Sequence, residues 1–465
     1  MAIEETKKFA KPSKLPFYFV LVCLFAVYLL GSIQLYKLLI TRDVSNVLRA
    51  IGEFITNNFG IIALTILLLI IFSIIFVYVI LKFASKYGKQ LTIFVGLALP
   101  IIIIVFVVVL MVLAPASIPA LIFFLLFPIV FLIIALLKYE RLKLAGELVS
   151  MSASVIFAEK GILLLSFLSG LFIFVTMIFD LLMLSYLWDI LIYENEITAY
   201  TVAFLAFLAS AWVIYSISFY FDGAIIAIVD DWYRNPGKDV ANIKKGLKRA
   251  FDFIGSIVLL GFIFAILSAI ERLSRLAQMR IRARGGGAAI ILLILLIIRL
   301  IVSLFRAIFE FITFFTLPSI IIEQKGLKEG IKRSARLVWN HFIDVLLAYT
   351  AVNWAYGLLV LISFVLFGVA GFATGYFFLY YFLPFDRFIA ALIMLLIFLV
   401  IGFIPTYIMI RPLYTVYRTL LLEYAIDREN KFTLPSRLPE HLKVKFEDII
   451  RREGPRSKRI FAKPP

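Results

Sequence analysis

Apolar residues in this chain come in long blocks. Ten such blocks lie near 15–40, 59–81, 91–113, 118–137, 161–187, 199–229, 253–270, 288–322, 343–369 and 388–410. As helices, blocks of this length cross the roughly 30 Å hydrocarbon layer of a bilayer. The short alternating segments of an outer-membrane barrel are absent. The predicted fold class is therefore all-α, a polytopic transmembrane helical bundle of about ten spans. The first block follows a basic start, MAIEETKKFAKPSK, and is too long for a signal-peptide core, so it reads as a retained span.

Between blocks the period changes. Val240, Ile243, Leu247, Phe251 and Ile254 fall on one helical face, with basic residues opposite. A helix of this kind lies in the membrane interface. The pattern recurs: Lys244, Gly246, Lys248 and Arg249 reappear as Lys328, Gly330, Lys332 and Arg333, at an offset of 84. A fainter third copy begins at Leu144-Ala-Gly-Glu-Leu. The expected organisation is a four-span N-terminal bundle (1–140), a six-span domain of three helix-plus-hairpin units (141–426) and a basic cytoplasmic tail (427–465).

Charge sets the orientation. The chain is 63% hydrophobic and 16% charged, with a net charge of +17. In a membrane protein, excess Lys and Arg collect in cytoplasmic loops, so this charge does not indicate nucleic acid. With the N-terminus inside, 35 basic residues fall on the inner side and 9 on the outer. Both termini are then cytoplasmic in a multi-pass cell-membrane protein. Only 271–287, with five basic residues, violates the rule. Either 253–270 and 288–322 form a true hairpin, or both re-enter without crossing. The 35-residue block 288–322 would be about 52 Å long as a helix, too long for one straight crossing, so it must tilt, break or run on.

Charges inside the blocks are the candidate chemistry, because they are costly in lipid and face protein or water. Arg299, Ser303, Arg306, Glu310 and Thr313 form a stripe on one helix face. Arg306 and Glu310 are four apart and can pair. Asp180, in TMIFDLLML, is a candidate partner for Arg299. Asp180, Arg299, Ser303, Arg306 and Glu310 make up the candidate binding site. Lys244, Lys245, Lys248, Arg249, Lys328, Lys332 and Arg333 are candidate contacts for lipid headgroups, so anionic lipid is the expected partner. Asp230-Asp231 reads as solvated charge at a span end. Gly285-Gly286-Gly287 lacks the Lys-Ser/Thr of a phosphate loop and reads as a hinge. Pro100, Pro128, Pro318 and Pro405 mark kinks. The aromatic run 375–385 fits an interfacial belt. With one cysteine, Cys23, and two histidines, His341 and His441, neither a disulfide framework nor a metal site is expected. No catalytic constellation and no cofactor site is expected.

The stretches SASVIFAEKGILLLSFLSG (152–170), YFDGAIIAIVDDW (220–232), GLKRAFDFIGSIVLLGF (246–262) and FFTLPSIIIEQKGLKEGIKRSARLVW (314–339) carry a resemblance. Residues 145–425 resemble a prokaryotic family of six-span membrane proteins of unknown function and, distantly, the membrane domain of glycerophosphodiester phosphodiesterases. That resemblance implies a fold but no activity. The functional expectation is a transporter or permease for a small or lipophilic solute, not an enzyme. The alternative is a non-catalytic scaffold that organises lipid.

Overall fold

The computed structural model describes residues 13–40, 59–113, 118–191, 196–235, 242–283, 289–340, 342–377 and 386–430, with Glu53, Thr56 and Arg437 besides. Among these the regular structure is helical and no strand occurs. In chain order the helices are α1 (Leu15–Ile40), α2 (Phe59–Leu113), α3 (Ile118–Leu137), α4 (Tyr139–Ala158), α5 (Lys160–Leu191), α6 (Glu196–Arg234) and α7 (Ile243–Asp252). They continue as α8 (Ile254–Ala283), α9 (Ala289–Ile312), α10 (Thr316–Ile322), α11 (Leu327–Asn340), α12 (Phe342–Phe377) and α13 (Arg387–Glu429).

Among the described residues eight segments are long and apolar enough to cross a membrane: in α1, α2, α5, α6, α8, the α9–α10 pair, α12 and α13. The all-helical bundle is as expected, but its spans are grouped differently. Residues 82–90 form no loop. They continue α2, which joins the expected spans 59–81 and 91–113 into one helix of 55 residues, about 82 Å long. KFASKYGKQ has good helix formers and no proline, so nothing stops the helix there. The long block 288–322 breaks instead. The helical ladder is interrupted at 313–315, between α9 and α10, just ahead of Pro318, whose ring disfavours continuation. Pro100, Pro128, Pro405 and Pro412 are accommodated within helices. The expected basic loop 271–287 is largely helix, since α8 runs to Ala283. Arg280 and Arg282 therefore lie on its last turns, while Arg284 and the triple glycine fall outside the described residues. The aromatic run 378–385 and most of the tail beyond Asn430 also lie outside them.

One apolar core runs through the bundle, from Phe76, Ile80 and Leu81 of α2, through Ile225 and Val229 of α6, to Leu413, Val416 and Leu420 of α13. Lipid gives helices no hydrophobic reason to associate, so small residues that allow close approach set the contacts. On α12, Gly371 and Gly375 are one turn apart and both face α13. A Cβ at Gly375 would stand 2.6 Å from Ala391 Cα, and one at Gly371 would stand 2.7 Å from the Met394 carbonyl.

The two basic amphipathic helices are present as α7 and α11, and they dock alike. A Cβ at Gly246 would meet the Ala224 carbonyl at 2.9 Å and Ile228 one turn on. A Cβ at Gly330 would meet Ile320 at 3.0 Å and the Thr316 carbonyl, one turn earlier, at 3.4 Å. Gly146 of α4 likewise faces the backbone of Lys89, where an added Cβ would stand 2.8 Å from its Cα. α4 differs in being buried over Leu142, Ala145, Leu148, Val149 and Ser152, so it packs as a core helix rather than an interfacial one.

Replacing Gly375 by Leu should force α12 and α13 apart and cost about 1–3 kcal/mol, as overpacking does. The thermal midpoint in detergent should fall by several degrees. Gly357→Ala, with nothing within 4 Å of the new Cβ, should leave the midpoint unchanged or slightly raised.

Candidate functional site

Among the described residues three constellations of charge stand out in the bundle. The first lies where α6, α8 and α9 meet. Arg306 donates from Nε to Glu310 Oε1 (2.8 Å), from Nη1 to Glu271 Oε2 (3.0 Å) and Ser268 Oγ (3.3 Å), and from Nη2 to the Tyr215 hydroxyl (3.0 Å). Glu271 also accepts from Arg275 at 2.5 Å. Two carboxylates and two guanidiniums balance here. Aromatic rings surround the group: Phe264 stands 5.4 Å from both Phe219 and Phe309 and 5.7 Å from Tyr215. On the other side, Glu310 lies within electrostatic reach of Tyr349 and Tyr414. Phe314 packs edge-on between those two tyrosines, at 5.7 and 5.8 Å.

The second constellation ties α5, α6 and α13 together. Arg411 is fully engaged: Nε donates to Asp222 Oδ1 (3.1 Å), Nη1 to Ser169 and the Tyr407 hydroxyl (2.7 Å), and Nη2 to the carbonyl and hydroxyl of Ser218 (2.7 Å to Oγ). Asp222 also accepts from Thr415 (3.2 Å), and its other oxygen stands 3.4 Å from Arg418 Nη2. In the third, Arg234 at the end of α6 grips Glu423 and Asp427 of α13, and Tyr233 donates to Asp427 at 2.7 Å. Glu423 and Asp427 have no exposed surface. Asp230 pairs with Arg249 of α7 at 2.5 Å.

The polar stripe of α9 divides. Arg306, Glu310 and Thr313 face protein, whereas Arg299 and Ser303 are exposed. Asp180 is buried, but the cation opposite it is Arg272 at 3.9 Å, so the expected pair with Arg299 does not form. Arg272 reaches it from one helix closer, on α8. Asp230 is likewise not a solvated charge, since burial and Arg249 enclose it. Two of the seven expected headgroup contacts also turn inward. Arg249 binds Asp230 and the Ile321 carbonyl (3.1 Å), and Arg333 binds Glu323 (3.1 Å) and Glu429 (2.6 Å). Burial opposes the charge of Arg333, but its hydrogen bonds and attraction to Glu429 and Glu323 outweigh this, so its pKa is raised. Lys244, Lys245, Lys248, Lys328 and Lys332 remain exposed.

Asp222, Arg411, Arg418, Arg234, Glu423 and Asp427 were missed from the sequence. Asp222 offered a signal, an acid inside an apolar block. Its partners are some 190 residues away in the chain, and no spacing rule reaches that far.

The family model of the plasma-membrane choline transporter matches residues 122–429, more than half of the chain, and the chain belongs to that family. This overturns the resemblance to a prokaryotic six-span family and to phosphodiesterase membrane domains over residues 145–425. The motifs behind that resemblance, glycines against carbonyls and basic amphipathic turns, serve helix packing and interface docking, which unrelated bundles share. No curated protein matches the chain. Family and apolar helices together make this a multi-pass membrane transporter.

Asp222→Asn should leave Arg411 and Arg418 without a counter-charge inside the bundle. Breaking such a buried pair costs about 3–5 kcal/mol. Thermal unfolding in detergent should show a large drop, and Arg418→Gln in the same background should recover part of it.

Proposed function

We propose that this choline transporter family member moves choline, or another small quaternary ammonium cation, across the membrane, and that Glu310 is the anionic anchor of its binding site. A quaternary ammonium cannot donate a hydrogen bond. It is recognised by a carboxylate at a distance and by aromatic faces, which contribute about 0.5–2 kcal/mol each. Glu310 is felt electrostatically by Tyr349 and Tyr414, which flank Phe314, and its partner Arg306 is hydrogen-bonded to Tyr215 of the ring group that includes Phe264 and Phe309. The observation that carries the reading is the placement of this carboxylate, its side chain about one-third exposed, where α9 leaves the bundle.

Arg306 gives the site its resting state. With no substrate bound, the guanidinium holds Glu310, as the ammonium would in its place. An arriving cation displaces Arg306, which keeps Glu271, Ser268 and Tyr215, so no charge is left bare at any stage. Asp180, Arg299 and Ser303 stand apart from this group. In this reading Arg299 and Ser303 line the approach along α9 and do not hold the substrate.

Uptake of radiolabelled choline into proteoliposomes tests this. Glu310→Gln should lower kcat/KM at least tenfold, Tyr414→Phe should have little effect, and Tyr414→Ala should lower it several-fold. Unchanged uptake in Glu310→Gln would remove the anchor role. Absence of any quaternary ammonium uptake by the intact protein would favour the alternative, a lipid-organising scaffold.

A further inference from the structure

The exposed and buried faces of α7 and α11 perform different tasks. Outward, Lys244, Lys245 and Lys248 of α7 and Lys328 and Lys332 of α11 are exposed. In α7, IKKGLKRAFD, the only acid is Asp252 at the very end. Near its end each helix shows an aromatic side chain to the outside: Trp339 of α11 is 82% exposed, and Phe251 of α7 is 37% exposed, with Phe17 and the Lys14 ammonium against its ring. Lysines next to a large exposed ring, beside the ends of spans, are the composition of a helix lying at the headgroup level of a bilayer. A purely aqueous surface gives no reason to leave Trp339 uncovered.

Inward, each helix carries one arginine hook at the same place in the repeat. Arg249 runs from α7 to Asp230 of α6 and across to the carbonyls of Ile321 (3.1 Å) and Ile322 (3.4 Å) at the end of α10. Arg333 runs from α11 to Glu323, which caps α10, and to Glu429 at the end of α13. Gly246 and Gly330 seat the helices close enough for these hooks to reach. α6, α10 and α13 therefore meet the two surface helices through two guanidiniums.

We propose that α7 and α11 bind anionic phospholipid headgroups through Lys244, Lys245, Lys248, Lys328 and Lys332, and that Arg249 and Arg333 pass this binding on to α6, α10 and α13. The charge of the surrounding leaflet then sets how firmly the inner ends of these helices are held together. Each lysine near an anionic surface adds to the attraction, which weakens with salt over about a Debye length. This inference is independent of what the protein transports.

Purified protein in nanodiscs of phosphatidylcholine, alone or mixed with phosphatidylglycerol, gives the test. Two readouts are followed: retention of a fluorescent phosphatidylglycerol and the thermal midpoint. The intact protein should retain the anionic probe, lose it as salt is raised, and melt several degrees higher in the mixed lipid. The variant K244Q/K245Q/K248Q/K328Q/K332Q changes only exposed side chains. It should retain the probe at least tenfold less and melt equally in both lipids. R249Q/R333Q should keep the probe but lose the extra stabilisation. Probe retention unchanged in the lysine variant would overturn the headgroup site. A lipid-dependent midpoint surviving in the arginine variant would overturn the coupling. Displacement of the anionic probe from the nanodisc-bound protein by a soluble acidic polypeptide, but not by added phosphatidylglycerol, would overturn the choice of partner.

Discussion

Charge carried into the interior by α6 and α13 is the constraint on which the rest of this structure depends. Neither helix can hold its own ionised groups in a low-dielectric environment, where an unpaired charge costs several kcal/mol. Each supplies what the other lacks: Asp222 meets Arg411 and Arg418, and Arg234 meets Glu423 and Asp427. Opposite charges placed in two registers along both helices leave one relative position in which every charge faces a partner. The apolar contacts of Ile225, Val229, Val416 and Leu420 add area to that register but would tolerate others.

The surface helices extend the same logic outward. α7 and α11 are stapled by Arg249 and Arg333 to acids on α6, α10 and α13, so the charge network of the interior continues to the bundle's edge. α9 is the exception. From Ile297 to Phe305 nearly every side chain is exposed, whereas Arg306, Glu310 and Thr313 engage the bundle. A helix held at one end by a balanced ion cluster can shift when that cluster changes partners. The proposed exchange of Arg306 for a substrate cation requires this property.

The sequence already displayed the Arg306–Glu310 pair, because helix periodicity alone puts residues four apart on one face. It displayed the amphipathic helices at 243 and 327 and their shared pattern for the same reason. It misplaces the partner of Asp180, because the basic stretch from 271 reads as a loop by its charge, whereas α8 carries Arg272 on a helix beside Asp180. It misjudged Asp230, Arg249 and Arg333 because a charge near a span end looks the same whether it faces water or a partner from another helix. The family signal was also misread, since packing glycines and basic turns describe how helices dock and not which protein they belong to.

What the sequence determined by itself is what depends on local composition and period: an all-helical membrane bundle, two basic amphipathic helices, and a charged stripe on α9. These follow from transfer free energies and the 3.6-residue turn, which act within a few residues along the chain. The tertiary structure decided which charges are paired, that 59–113 is one helix and 288–322 is two, and which half of the α9 stripe faces protein. Those outcomes depend on groups brought together across up to about two hundred residues of chain. The energy of a buried ion pair is set by the distance and enclosure of its partner, and neither quantity is written in the local sequence.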